Sequence, residues 1–253
     1  MRLGIIGKGA IAGYVTAAIA KQPGVTLAGR VLRQAEGDAV ADVADLPPVD
    51  LLIDCAGHAG LAQHGAAALA LGVDVLTLSL GALADADLEH ALTRAARDGG
   101  AQLHLASGAI GALDALRAGA EGGLSNVTYT GRKPPAGWRG SPAETAVDLD
   151  GLTEATTHFT GTARAAALAY PKNANVAAAV ALAGAGFDDT QVALIADPAA
   201  SGNTHEIIAE GAFGSLSFRL TGNSLPDNPR SSALAAMSAV AAIRQASAPI
   251  RFA

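Results

Sequence analysis

A single cysteine, Cys55, stands among the 253 residues, so no disulfide can form within the chain and a bridge-stapled scaffold is excluded. One cysteine also fits a reducing compartment. Aromatic residues make up only 4% and charged residues 16%, while half of the chain is hydrophobic. A large core can therefore form, but Ala, Val and Leu must fill it. Low charge with a mean hydropathy of +0.31 excludes disorder. Cations are scarce as well: 17 Lys and Arg against 23 Asp and Glu leave a net charge of −6, which argues against a protein that coats nucleic-acid phosphates. Long apolar runs are missing too. The longest stretch free of formal charge, residues 55–73, carries His58, Gln63, His64 and four glycines, so it reads as loop plus helix rather than a bilayer span. Residues 1–20 end in Ala-rich sequence like a cleavage site, but Lys8 interrupts the would-be apolar region. The expectation is a soluble, cytoplasmic chain of one large or two medium domains.

What is present is periodic. Apolar runs at 3–6, 25–29, 51–53, 73–78 and 102–105 alternate with helical patterns at 11–21, 59–71 and 85–97, and Gly72 sits where a C-cap glycine belongs. Residues 31–49 are too mixed to assign. Strand, helix, strand repeated at this pitch predicts parallel βαβ units. After about residue 108 the pattern changes. Residues 126–130, 191–196, 204–209 and 213–220 read as strands, the last two joined as a hairpin across Glu210-Gly211-Ala212. Residues 132–142 read as loop, and 175–185 and 231–245 as Ala-rich helices. The predicted class is α/β: an N-terminal Rossmann domain with a doubly wound parallel sheet, followed by an α+β domain.

Gly7-Lys8-Gly9-Ala10-Ile11-Ala12 follows the first strand and opens the first helix, which is the context a dinucleotide-binding turn requires. Gly7 permits the tight turn, Gly9 lets the backbone approach a pyrophosphate, and Ala12 lets helix and strand pack closely. The free N–H groups from Ala10 and Ile11 onward then face the anion. The usual acid for the ribose hydroxyl is absent at the end of the second strand, where Arg30 stands with Arg33 close behind. Arginine there suits a 2′-phosphate, so NADP is expected to bind at least as well as NAD, unless Arg30 is an ordinary solvated side chain. Cys55, Ala56 and Gly57 follow the buried run at 51–53, at the end of a strand expected to face the cofactor. No signature supports Cys55 as a nucleophile, and the six-residue spacing of His58 and His64 fits no metal site.

In the second half, His205, Ile207 and Ala209 share one strand face, with Glu206, Ile208 and Glu210 on the other. The imidazole is either a satisfied core histidine or a base facing a cleft. Arg132, Lys133, Arg139, Lys172 and Arg230 all sit in loop-like sequence, where cations either stay solvated or hold carboxylates. Asn173 and Asn175 precede an apolar helix, and either can cap it.

Ser107-Gly108-Ala109-Ile110-Gly111, Thr130-Gly131-Arg132-Lys133-Pro134-Pro135, Pro171-Lys172-Asn173-Ala174-Asn175-Val176-Ala177, Asp197-Pro198 with Asn203-Thr204-His205, and Asn228-Pro229-Arg230-Ser231-Ser232 occur in order along the chain. Together with the N-terminal turn, the sequence resembles the L-aspartate dehydrogenase family. The resemblance implies oxidation of L-aspartate by NAD or NADP to iminosuccinate, which hydrolyses to oxaloacetate and ammonia, with a link to NAD biosynthesis. It places Ala109 and Asn175 at cofactor-contacting positions and His205 at the catalytic histidine. Lys133 and Arg230, then Lys172, are the expected carboxylate-binding cations. It further implies a homodimer, a cofactor domain of residues 1–108 completed by 222–253, and a substrate and dimerisation domain of residues 109–221. Rival readings are another two-domain reductase, of dihydrodipicolinate or homoserine type, and a non-catalytic NAD(P)-binding sensor.

Overall fold

The computed structural model describes residues 1–226 and 228–252, with the backbone alone at 229 and 230. The chain divides into two units, Met1–Gly108 with Ala235–Ala253, and Ala109–Leu234.

In the first unit the apolar runs become strands β1 (Arg2–Ile6), β2 (Thr26–Val31), β3 (Ala39–Val40), β4 (Leu51–Asp54), β5 (Asp74–Thr77) and β6 (Leu103–Leu105). All pair in parallel, in the order β3-β2-β1-β4-β5-β6, which is the doubly wound Rossmann arrangement. The connecting helices are α1 (Ala10–Ile19), α2 (His58–Ala70) and α3 (Ala86–Gly99). Helix α3 is signalled locally: the Asp85 carboxylate accepts from the backbone N–H groups of Asp87 and Leu88, and left-handed Gly100 ends it. The unassigned stretch 31–49 holds the two-residue edge strand β3 and a short 3-10 turn, Val43–Asp45, too brief for any periodicity to show.

With few aromatics, the core of this unit is aliphatic. Leu3, Ile5, Ile53 and Leu76 of the sheet pack with Val15 and Ile19 of α1 and with Ala239, Val240 and Ile243. The last three belong to the helix α8 (Ala233–Ser247). Burial of side chains such as Ile243 stabilises by about 2 kcal/mol each, enough to dock an Ala-rich helix whose own propensity is marginal.

The second unit comprises α4 (Leu113–Glu121), β7 (Leu124–Lys133), α5 (Ala143–Ala146), β8 (Thr156–Thr162), α6 (Ala163–Ala169), α7 (Asn175–Ala183), β9 (Gln191–Ala196), β10 (Asn203–Gly211) and β11 (Gly214–Gly222). A small hairpin, β12 (Ser224–Leu225) with β13 (Asn228–Ser232), leads into α8 (Ala233–Ser247). The return to the first unit thus begins at Ala235, later than 222, because β11 and this hairpin extend the second unit. The five-stranded sheet has the order β11-β10-β7-β9-β8, with β7 and β9 parallel and the other pairs antiparallel. The hairpin between β10 and β11 closes on the Gly211–Gly214 pair, so Ala212 and Phe213 form its turn, one residue beyond the expected position. Strand β7 also runs through Arg132 and Lys133, which sequence chemistry assigned to a loop; pairing on both sides overrides the charge and the proline that follow. Strand β8 was invisible in the pattern because its Thr-rich sequence lacks alternation.

Candidate active site

Gly7 ends β1 with φ +103°, a conformation that side chains resist, and a Cβ there would press on Cys55 O and Ala56. Gly9 is the N-cap of α1, no side chain caps the helix, and its first turn holds no acid. A Cβ on Gly9 would meet no protein atom within 4 Å, so the space over the helix N-terminus is open to a diphosphate. Ala10 and Ile11 are the first two residues of α1. Their N–H groups and the helix dipole suit an anion, and the residues present fit a dinucleotide.

Arg30 lies near the end of β2 and folds back on this turn. Its guanidinium donates to Thr16 Oγ1 at 2.5 Å and to Gly7 O at 3.4 Å. It therefore braces the glycine turn, a task the solvated reading did not foresee. Lys8 in the turn is paired with Glu36 at 2.5 Å, both largely exposed.

Beyond β4, a second loop is held by the fully buried Asp54. Its carboxylate accepts from Ala56 N (2.9 Å), Thr77 Oγ1 (2.8 Å) and Ser79 Oγ (2.6 Å), joining the ends of β4 and β5. Burial pushes the Asp54 carboxyl above its ordinary range. Cys55, Ala56 and Gly57 form the loop this carboxylate braces, and Gly57 is the N-cap of α2. Burial, reinforced by the Asp54 charge, raises the Cys55 thiol to about 12, which leaves no nucleophilic thiolate.

In the second unit, alternation along β7 puts Val127, Tyr129, Gly131 and Lys133 on the buried face. His205 of β10 lies opposite Gly131 in the register and is also buried. Its Nδ1 is 2.7 Å from the Tyr129 hydroxyl, and the two rings are nearly parallel, 19° apart. Burial first, then the Lys133 charge, lower His205 to about 4, so the imidazole is neutral at neutral pH.

Lys133 is 8% exposed. Its ammonium donates to Asn173 Oδ1 at 2.7 Å and sits 4.8 Å from the centre of the Trp138 ring. Burial lowers it to about 8. Asn173 precedes α7, whose N-cap is Ala174 without a side-chain cap. The Asn173 side chain binds Lys133, and Asn175 is the first residue of the helix itself. The structure thus brings together His205, Lys133, Asn173 and the start of α7.

Two other candidate cations are paired elsewhere. Arg132 points to the opposite sheet face and pairs with Asp197 at 2.8 Å, and Arg139 pairs with Asp150. Lys172 is exposed in the loop before α7. Arg230 belongs to β13, and its side chain lies outside the described residues. Ala109 lies in the short segment before α4, where Ala112 takes φ +60°. Sequence reasoning missed the aromatic wall behind Lys133: Trp138 meets His158 edge-on at 4.4 Å, and His158 Nδ1 is 3.2 Å from Tyr170 Oη. His158 Nε2 is buried without a hydrogen-bond partner among the described residues, and burial, with the Lys133 charge, lowers the ring to about 4. No spacing in the sequence signals this wall, because its rings come from three separate elements: a 3-10 turn, β8 and the residue after α6. Among the described residues there is no group of three or more His, Cys, Asp or Glu able to hold a metal ion, and no helix is long and apolar enough to cross a membrane.

Comparison with known proteins bears on both units. Residues 114–246 match the family model described as "Aspartate dehydrogenase, C-terminal", and residues 7–106 match "Homoserine dehydrogenase, NAD binding domain". The chain is 59% identical to an L-aspartate dehydrogenase of Ruegeria pomeroyi, over 99% of this chain and 94% of that one. The chain belongs to the L-aspartate dehydrogenase family. This is a family of NAD(P)-dependent oxidoreductases. A second member, from Cupriavidus necator, is 52% identical over 83% of this chain and 79% of its own. The fold is shared with the crystal structure of aspartate dehydrogenase from Thermotoga maritima, at a TM-score of 0.77 and 24% identity, covering 100% of this chain and 99% of that one.

Proposed function

We propose that this chain oxidises L-aspartate with NAD or NADP to iminosuccinate, which hydrolyses to oxaloacetate and ammonia. The observation that carries the reading is 59% identity, over nearly the whole chain, to a relative named L-aspartate dehydrogenase. The polar cluster of the second unit supports it. A substrate with two carboxylates needs cations, and a buried ammonium at Lys133 beside a helix start supplies concentrated positive potential. Arg230 and Lys172 are the further candidates for the second carboxylate.

Gly7, Gly9, Ala10 and Ile11 would hold the dinucleotide diphosphate, with Arg30 at the adenosine ribose and Cys55, Ala56 and Gly57 beside the cofactor. Ala109 and Asn175 are assigned to the cofactor by the resemblance. A bound nicotinamide would supply the acceptor for the hydride lost from the substrate Cα. For that hydride to leave, the substrate ammonium must give up a proton so that its lone pair can form the C=N bond. The neutral His205 imidazole is the proposed acceptor; once it has released that proton to solvent, the imidazole takes a proton from the water that attacks the imine carbon. A carboxylate held at Lys133 offsets that ammonium and lifts the imidazole toward its ordinary value, so substrate binding itself strengthens the base.

The link to NAD biosynthesis, a cytoplasmic location and a homodimer follow from the resemblance. The sheet face carrying Thr128, Thr130 and the exposed Ile208 is a surface that a second copy would cover; sedimentation of the wild type tests it. The functional reading is tested by following reduced-cofactor absorbance with L-aspartate against D-aspartate, L-glutamate, L-alanine and L-homoserine. L-Aspartate alone should give rapid reduction. Faster reduction with L-homoserine, or none with any amino acid, would favour a homoserine-type enzyme or a non-catalytic sensor.

A further inference from the structure

We propose that Tyr129 is a positioning residue for the reaction: its hydroxyl holds Nδ1 of His205 and leaves Nε2 as the nitrogen that meets the substrate, while Gly131 makes the room this requires. The proposal rests on the reading of His205 as the catalytic histidine.

Tyr129 and His205 are not direct cross-strand partners. Tyr129 pairs with Ile207, and His205 pairs with Gly131, so the phenol reaches its partner diagonally along the sheet. The hydroxyl arrives 2.7 Å from Nδ1 because position 131 has no side chain. A Cβ built there would lie 2.8 Å from Tyr129 Oη and 3.2 Å from Leu194 Cδ2. Any other residue at 131 would push the phenol aside. Tyr129 is 1% exposed, and Nδ1 of His205 is the single hydrogen-bond partner of its hydroxyl among the described residues. Such a buried hydroxyl is costly to leave unpaired, so this bond is strongly held.

A phenol suits the task because it can donate to a bare Nδ1 or accept from Nδ1–H. In the accepting state Nε2 is bare. The substrate ammonium N–H bond then breaks, its proton joins Nε2, and the resulting imidazolium keeps its Nδ1–H on the phenol oxygen. Burial raises the phenol well above its ordinary range, so Tyr129 keeps its own proton and serves as a neutral orienting group. A base oriented by a third group is a recurring catalytic arrangement.

The test is the kinetics of Tyr129→Phe, Gly131→Ala and His205→Asn, singly and combined. Tyr129→Phe should lower kcat at least about tenfold while KM for L-aspartate and for the cofactor stays within about twofold. In the His205→Asn background, Tyr129→Phe should cost less than about twofold more, and Gly131→Ala should add little once the hydroxyl is gone. If Tyr129→Phe stays within about twofold of wild-type kcat while His205→Asn loses at least about tenfold, the proposal is overturned and the reading of His205 survives. If His205→Asn itself stays within about tenfold, that reading falls and takes this proposal with it. The wild type offers a check without any substitution: 15N signals of the His205 ring should show a hydrogen-bonded Nδ1 in one arrangement. Averaged signals of a freely exchanging imidazole would overturn the proposal.

Discussion

Lys133 Nζ donates to the Asn173 side-chain oxygen at 2.7 Å, tying the last residue of β7 to the loop that enters α7. The ammonium is buried and lowered to about 8, so its charge is present below that pH and lost above it. Binding of succinate, a dicarboxylate without an amine, should therefore weaken as pH rises through about 8, by at most about tenfold per unit. Inhibition constants measured across that range check this. Lys133→Met should give weak binding at every pH; a profile unchanged by that substitution would remove Lys133 from the substrate.

Asp54 accepts three hydrogen bonds that join the ends of β4 and β5. Asp54→Ala leaves two hydroxyls and one N–H without their acceptor, so destabilisation of about 3 kcal/mol is expected. Thermal unfolding measures that loss. Cofactor affinity should fall with it, because residues 55–57 lose their brace.

Arg30 bonds both Thr16 and Gly7 O, next to the glycine turn. If it also meets a 2′-phosphate, Arg30→Ala should weaken NADP binding about tenfold more than NAD binding. Fluorescence titration of both reduced cofactors decides it, and unchanged NADP affinity would remove the assignment.

His205 is lowered to about 4 by burial, whereas an unfolded chain has an ordinary histidine near 6.5. Between these values the unfolded state binds the additional proton. Stability should therefore fall as pH drops below about 6.5, at up to about 1.4 kcal/mol per unit from this residue. His205→Asn, which does not titrate, should remove this share of the slope in denaturant titrations at successive pH values, leaving the share of His158, which is also lowered to about 4.

The cofactor half could be read from the sequence because its signals are local. A strand, a Gly7-Lys8-Gly9 turn and a helix follow one another directly, and buried parallel strands appear as short apolar runs. The second unit was harder. Lys133 read as loop because Arg132 and Pro134 flank it, and β8 carries threonines where apolar residues would have marked it. The bond between Tyr129 and His205 spans 76 positions and depends on strand register, which no local pattern encodes. His205 itself was open between core and site; its alternation was evident, but its partners were not.

The central claim is that the His205 imidazole moves the proton that lets L-aspartate surrender its hydride. Cofactor titration combined with single-turnover reduction in His205→Ala tests it most directly. Cofactor affinity should stay within about twofold of wild type while the reduction step slows by about a hundredfold or more. A rate within about tenfold of wild type, corresponding to roughly 1.4 kcal/mol of barrier, would contradict the account.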